Sequence, residues 1–178
     1  MVEILKRQEA IPASFPSRPA GLSIAAAMLD ADAIWQRIES YISHRWTPRE
    51  VIWTVTGPGS FEPDLAPATI TAQEVWDGVA WQPASLSASP LDGFLLDAGG
   101  PYRFTADVGD GDVPAGVNEA YRRLAGYLTD ATDRAGVSSY SVSLGGEIKE
   151  SYDRDAAFIA KAIQLSGAAD LLRPYRRA

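Results

Sequence analysis

The sequence predicts an α+β protein: a small helical bundle of three to four helices, an inserted antiparallel β region and an extended C-terminal tail. Three observations predict it. In both flanks apolar residues recur at three- and four-residue spacing, at Ile34, Trp35, Ile38, Tyr41 and Ile42, and again at Val117, Tyr121, Leu124, Leu128 and Ala131. Between the flanks the apolar period falls to two, at Val51, Trp53 and Val55 and at Tyr102, Phe104, Ala106 and Val108. Charge divides the chain at the same places. Residues 51–112 hold one basic side chain, Arg103, against nine acidic ones, so this middle carries −8 of a total of −7 and the flanks are nearly neutral.

The elements follow in order. After Pro12, Pro16 and Pro19, the run Leu22–Leu29 suits a short helix. Asp30 or Asp32 offers an N-cap oxygen for the next one, which the apolar stripe carries to about Trp46 before Pro48, lacking the needed N–H, ends it. Four or five short antiparallel strands are expected in the middle. Gly57-Pro58-Gly59 breaks the first of them, and Asp77-Gly78, flanked by Val75-Trp76 and Val79-Ala80-Trp81, suits a two-residue type I′ turn. Pro114 is placed to open a long helix that runs to about Arg134, with Gly136 as its stop and Glu119 and Arg123 paired one turn apart on the wet side. Tyr140, Val142 and Leu144 alternate with serines as an extended arm or edge strand. Asp153 is expected to cap a third helix over Ala156–Leu165. The chain then reads as one domain over 1–178, with helical parts at about 22–50 and 113–166, a β insertion at about 51–112 and a tail at about 167–178.

Composition removes several chemistries. The 178 residues include no cysteine and one histidine, His44, which excludes disulfides, thiolate metal sites, cysteine nucleophiles and any two-histidine site. Net charge −7 lacks the basic balance of a duplex-binding protein. Neither a secretory apolar segment near Met1 nor a run of about 18 apolar residues is present, so no membrane partner is expected. Gly57-Pro58-Gly59-Ser60 and Gly99-Gly100 lack the Gly-Lys-Ser/Thr ending of a phosphate loop, and no Gly-x-Ser-x-Gly elbow occurs. Asp107, Asp110 and Asp112 do not follow the EF-hand spacing and read as an acidic turn between strand and helix. The tryptophans fit the stripes as core residues. No enzyme and no cofactor are expected.

The C-terminus, Leu171-Leu172-Arg173-Pro174-Tyr175-Arg176-Arg177, reads either as a solvated end or as a docking peptide, with Leu171, Leu172 and Tyr175 as anchors and the arginines pairing with partner carboxylates. Three stretches carry a resemblance: Asp32–Trp46 with its Ile-Glu-Ser-Tyr-Ile-Ser-His-Arg-Trp ending, Pro101–Gly109 followed by Val113-Pro114 and a long helix, and the terminal Leu-Leu-Arg-Pro-Tyr-Arg. Together they resemble the head–tail connector (adaptor) proteins of tailed phages and gene transfer agents. The strand-rich stretch from about Val51 to Leu96 departs from that family's shorter loop.

The resemblance implies a virion structural protein, assembled in the bacterial cytoplasm and placed at the head–tail interface. It would form a ring, commonly of twelve copies, beneath the portal protein, dock to it through Leu171–Arg177, and present a platform to the stopper or tail-completion protein. DNA would pass through the channel without specific binding, and some of Asp107, Asp110 and Asp112 would face it, since acids repel phosphates. From the residues alone, the competing reading is a soluble cytoplasmic binding module that holds a ligand or protein against Trp53, Trp76 or Trp81.

Overall fold

A computed structural model describes residues 2–90, 92–132, 139–144, 148–153 and 159–176. The chain divides into two units, one built from residues 2–16 and 43–112, the other from the described residues of 17–42 and 113–176.

The first unit is a β structure. Its strands are β1 (Glu3–Glu9), β2 (Arg49–Thr56), β3 (Gly59–Phe61), β4 (Ala68–Trp76), β5 (Trp81–Pro83), β6 (Phe94–Leu96) and β7 (Pro101–Val108). Five of them make one antiparallel sheet in the order β1-β2-β7-β4-β5, and β3 pairs separately with β6. The alternation read from the sequence sets the central register: Val51, Trp53 and Val55 of β2 lie opposite Ala106, Phe104 and Tyr102 of β7, and all six are buried. Phe61 closes over them, its ring 4.5 Å from that of Phe104, with Leu65 and Leu96 completing the core. Burying aromatic area on this scale is the main stabilising contribution in a sheet of this size. The Trp53 indole N–H does not go unmatched, because it donates to Asp64 Oδ1 at 2.7 Å.

Two expectations for this half are corrected, and one strand has no signal in the sequence. The seven-residue stretch Glu3–Glu9 forms an edge strand although its side chains show no inward alternation; its ladder to β2 holds it. The Asp77-Gly78 turn is a four-residue loop, since Trp76 pairs directly with Trp81, and the Asp77 side chain accepts from the Val79 and Ala80 N–H groups at 2.8 Å each. Among the described residues six strands, not four or five, lie between Arg49 and Val108.

The second unit contains α1 (Ile24–Ala27), α2 (Ala31–Tyr41), α3 (Ala115–Thr132), the hairpin β8 (Ser139–Leu144) and β9 (Ile148–Asp153), α4 (Ala162–Leu165), α5 (Ala168–Leu172) and a 3₁₀ turn at Arg173–Tyr175. Ser23 and Asp30 cap α1 and α2 through their side-chain oxygens. The apolar stripe of α3 is buried at Val117, Tyr121 and Leu124, and the Trp35 ring of α2 lies 5.0 Å from that of Tyr121. Glu119 pairs with both Arg122 and Arg123.

The expected bundle of three to four helices is therefore wrong. Among the described residues only α2, with 11 residues, and α3, with 18, exceed two turns, and the five-stranded sheet is the dominant element. Helices of four or five residues cannot present the repeated stripe that bundle packing needs. Asp153 is the last residue of β9, opposite Ser139, and of the expected helix Ala156–Leu165 the structure describes α4 at Ala162–Leu165, the residues at 154–158 lying outside the described ones. Helix α2 stops at Tyr41 rather than near Trp46, because Ile42 is extended and the chain beyond it bridges to Ala66. The stop at Gly136 lies outside the described residues.

Candidate functional site

The C-terminal segment is folded, not an extended peptide, which corrects the remaining part of the expected architecture. Helix α5 packs on α3, with Ala168 and Leu172 fully buried. Leu171 is half-buried, Arg173 and Pro174 are exposed, Tyr175 is half-buried and Arg176 is exposed. Arg177 lies outside the described residues. The Arg176 guanidinium lies 4.6 Å from the centre of the Tyr41 ring and donates to the Tyr41 hydroxyl at 3.2 Å. Leu172 thus belongs to the core of its unit and is unavailable as a partner anchor. What the segment offers outward is the short arginine-flanked turn Arg173-Pro174-Tyr175-Arg176.

Asp107, Asp110 and Asp112 are all exposed at the end of β7 and in the loop after it. The chain turns there on Gly109, whose φ of +104° no side chain adopts readily. A Cβ at that position would stand 2.4 Å from the Thr47 carbonyl oxygen, so the turn needs glycine twice over. The Gly109 N–H donates to the Pro67 carbonyl at 2.9 Å, and the Gly111 N–H to Asp110 Oδ1 at 2.7 Å. The structure brings the three acids to one end of the strand, as their spacing implied, and solvates all of them.

The tryptophans divide. Trp53 is fully buried and cannot hold a ligand, and Trp35 and Trp46 are also buried. Trp76, at 37% exposure, and the half-buried Trp81 instead form an edge-to-face pair on the β4–β5 hairpin, with centroids 5.4 Å apart. Arg103, the lone basic residue of the middle, lies 4.6 Å over the Trp81 ring and makes a two-pronged ion pair with Glu74 at 2.6 and 2.7 Å. That hydrogen-bonded guanidinium holds the Glu74 carboxyl below its ordinary pKa. At the loop, the N–H groups of Ala80 and Val79 do the same for Asp77. The reading of all five tryptophans as core residues fails at Trp76, where the two-residue period places the side chain on the solvent face of an edge hairpin.

A third feature is an ionic cluster at the end of β1, formed with the start of β2 and the loop before it. Arg45 and Arg49, both buried, converge on the Glu9 carboxylate. Only the long-range pairing of β1 brings Glu9 there, so no local pattern announces it. Neither the single histidine nor the acids assemble a metal site: among the described residues, no group of three or more His, Asp or Glu side chains is placed to hold an ion. No described helix is long and apolar enough to cross a membrane. No protein-family model, curated protein or solved structure matches the chain.

Proposed function

We propose that the chain is a structural adaptor at the head–tail junction of a phage or phage-like gene transfer agent particle. In this reading copies form a ring beneath the portal protein, link it to the stopper or tail-completion protein, and enclose a channel through which DNA passes without specific binding. The observation that carries the reading is the presentation of Arg173, Pro174 and Arg176 on the surface, on a turn anchored by the buried Leu172. Arginine and tyrosine on a rigid, pre-formed turn lose little entropy on docking, and arginine recognises carboxylates by two-pronged hydrogen bonds. The exposed acids Asp107, Asp110 and Asp112 support it, because acids facing the channel would repel the phosphates of passing DNA.

Co-sedimentation with a portal ring tests it. The full chain is expected in the pellet with the portal, and R173E/R176E in the supernatant. Failure of the wild-type chain to pellet sinks the reading.

A second reading is favoured by one observation, the partly exposed Trp76–Trp81 pair with Val79 at 86% exposure on the adjoining loop. An apolar hairpin tip of this kind suits a soluble binding module. A wild-type chain that stays in the supernatant when the portal ring is pelleted, and whose tryptophan emission shifts on titration with a ligand while that of W76A does not, would favour this reading over the adaptor.

A further inference from the structure

In the β unit an open groove of about 520 Å³ lies beside β4, a size suited to a ligand or a few residues of peptide. Its floor is apolar: the buried Leu65, with Ile70 and Phe94 half-buried against the core. Among the described residues its charged lining residues are Glu62 and Asp92, both exposed, and no lysine or arginine lines it. Asp92 holds a φ of +69°, the left-handed region that aspartate and asparagine tolerate better than most residues.

The groove also has an edge. Strand β4 pairs with β7 along one side, but on the other side β5 covers only Glu74 to Trp76. Among the described residues no strand faces Ala68 to Ala72 there. The free stretch is irregular, because the register to β7 shifts between Ile70 and Ala72 and the Thr71 hydroxyl donates to the Thr105 carbonyl at 3.1 Å. A long added ladder is therefore disfavoured, while two or three main-chain hydrogen bonds to an extended guest remain available.

We infer that this groove docks an extended segment of a protein partner in which apolar residues alternate with lysine or arginine. The period-two guest sends one set of side chains onto Leu65, Ile70 and Phe94 and brings its cations to Glu62 and Asp92. The −8 carried by residues 51–112 draws a basic guest from a distance and turns an acidic one away. The groove lies within the β unit, so it binds or fails to bind whatever the C-terminal turn does.

The test uses the full chain and two fluorescein-labelled hexapeptides, one alternating valine with lysine and the other valine with glutamate, followed by fluorescence anisotropy. The lysine peptide is expected to bind, more weakly as salt is raised, and the glutamate peptide not to bind. E62Q/D92N, which keeps shape and a residue suited to φ +69°, is expected to weaken binding about fivefold, as two solvent-exposed charge pairs should. A88W, which fills the groove from an exposed position, is expected to abolish it. Circular dichroism checks that both variants fold. Equal binding of the two peptides overturns the inference, as does unchanged affinity in both variants. Displacement of the peptide by free butylamine at equal molarity overturns it too, because the site would then belong to small amines.

Discussion

Arg45 Nε donates to Glu9 Oε1 at 2.6 Å, and Arg45 Nη2 to Glu9 Oε2 at 3.2 Å, so one strand-edge carboxylate is gripped from both oxygens by a buried guanidinium. Arg49 Nη1 reaches the same Oε1 at 3.1 Å. The two arginines stand on either side of a turn in which Arg49 also holds the Thr47 carbonyl and hydroxyl. Glu9 is therefore what fastens the end of β1, a strand whose side chains bury almost nothing else.

Replacing Glu9 by Gln should destabilise the β unit by about 2 kcal/mol near neutral pH, because charge-assisted hydrogen bonds to buried arginines are lost. Burial raises the Glu9 pKa, but the hydrogen bonds and charges of Arg45 and Arg49 outweigh it and hold the carboxyl below its ordinary value. A depressed folded-state pKa gives stability that is fully present above the unfolded-state value of about 4.3 and is lost as pH falls through the lower folded-state value. Urea unfolding of wild type and E9Q at pH 7 and at about pH 3 should show the gap between them closing in acid. A gap that stays constant refutes this role.

The Gly109 turn gives a sharper contrast. G109A should cost more than about 2 kcal/mol, since it combines a positive φ with a Cβ driven against the Thr47 backbone. G111A shares the positive φ but meets nothing within 4 Å, so about 1 kcal/mol is expected. Thermal unfolding of the two variants side by side measures the difference, and equal losses would show that the close approach to Thr47 is unimportant.

The two halves were unequally legible in the sequence. Trp53 and Phe104 announced their strands because each lies in a clean alternation whose buried face the sheet then uses. Strand β1 carried no such signal, since what orders Glu3–Glu9 is its partner β2 and the ion cluster, both distant in sequence. In the hairpin Tyr140, Val142 and Leu144 alternate with serines and announce the first strand. Ile148–Asp153, with charges at Lys149, Glu150 and Asp153, has no comparable apolar alternation and is ordered by its pairing with Ser139–Leu144. In the C-terminal segment the sequence marks the residues but not how they divide between core and surface. Leu171 and Leu172 look alike in sequence, and only the packing of α5 on α3 separates the fully buried one from its neighbour.

Tryptophan emission should report the division of the indoles. Trp76 is partly exposed and Trp53 fully buried, so W76F should lower acrylamide quenching while leaving stability within about 0.5 kcal/mol. W53F should cost about 2 kcal/mol, because it shrinks a packed core residue and leaves Asp64 Oδ1 without the indole donor. If W53F proved neutral, the core assignment of Trp53 would be wrong.

The C-terminal turn yields the decisive pair of variants for the adaptor reading. Deleting Leu171 onward confounds folding with docking, because Leu172 is fully buried and its loss removes part of the packing of α5 on α3. L172A alone should cost about 3 kcal/mol. R173E is a surface change and should leave stability within about 0.5 kcal/mol. R176E also removes the guanidinium from the Tyr41 ring, an exposed contact worth roughly 0.5 kcal/mol. R173E/R176E should therefore unfold within about 1 kcal/mol of wild type and yet lose co-sedimentation with the portal ring, whereas L172A, held well below its unfolding temperature, should retain it. If both variants pellet with the portal as wild type does, the arginine turn is not the docking element.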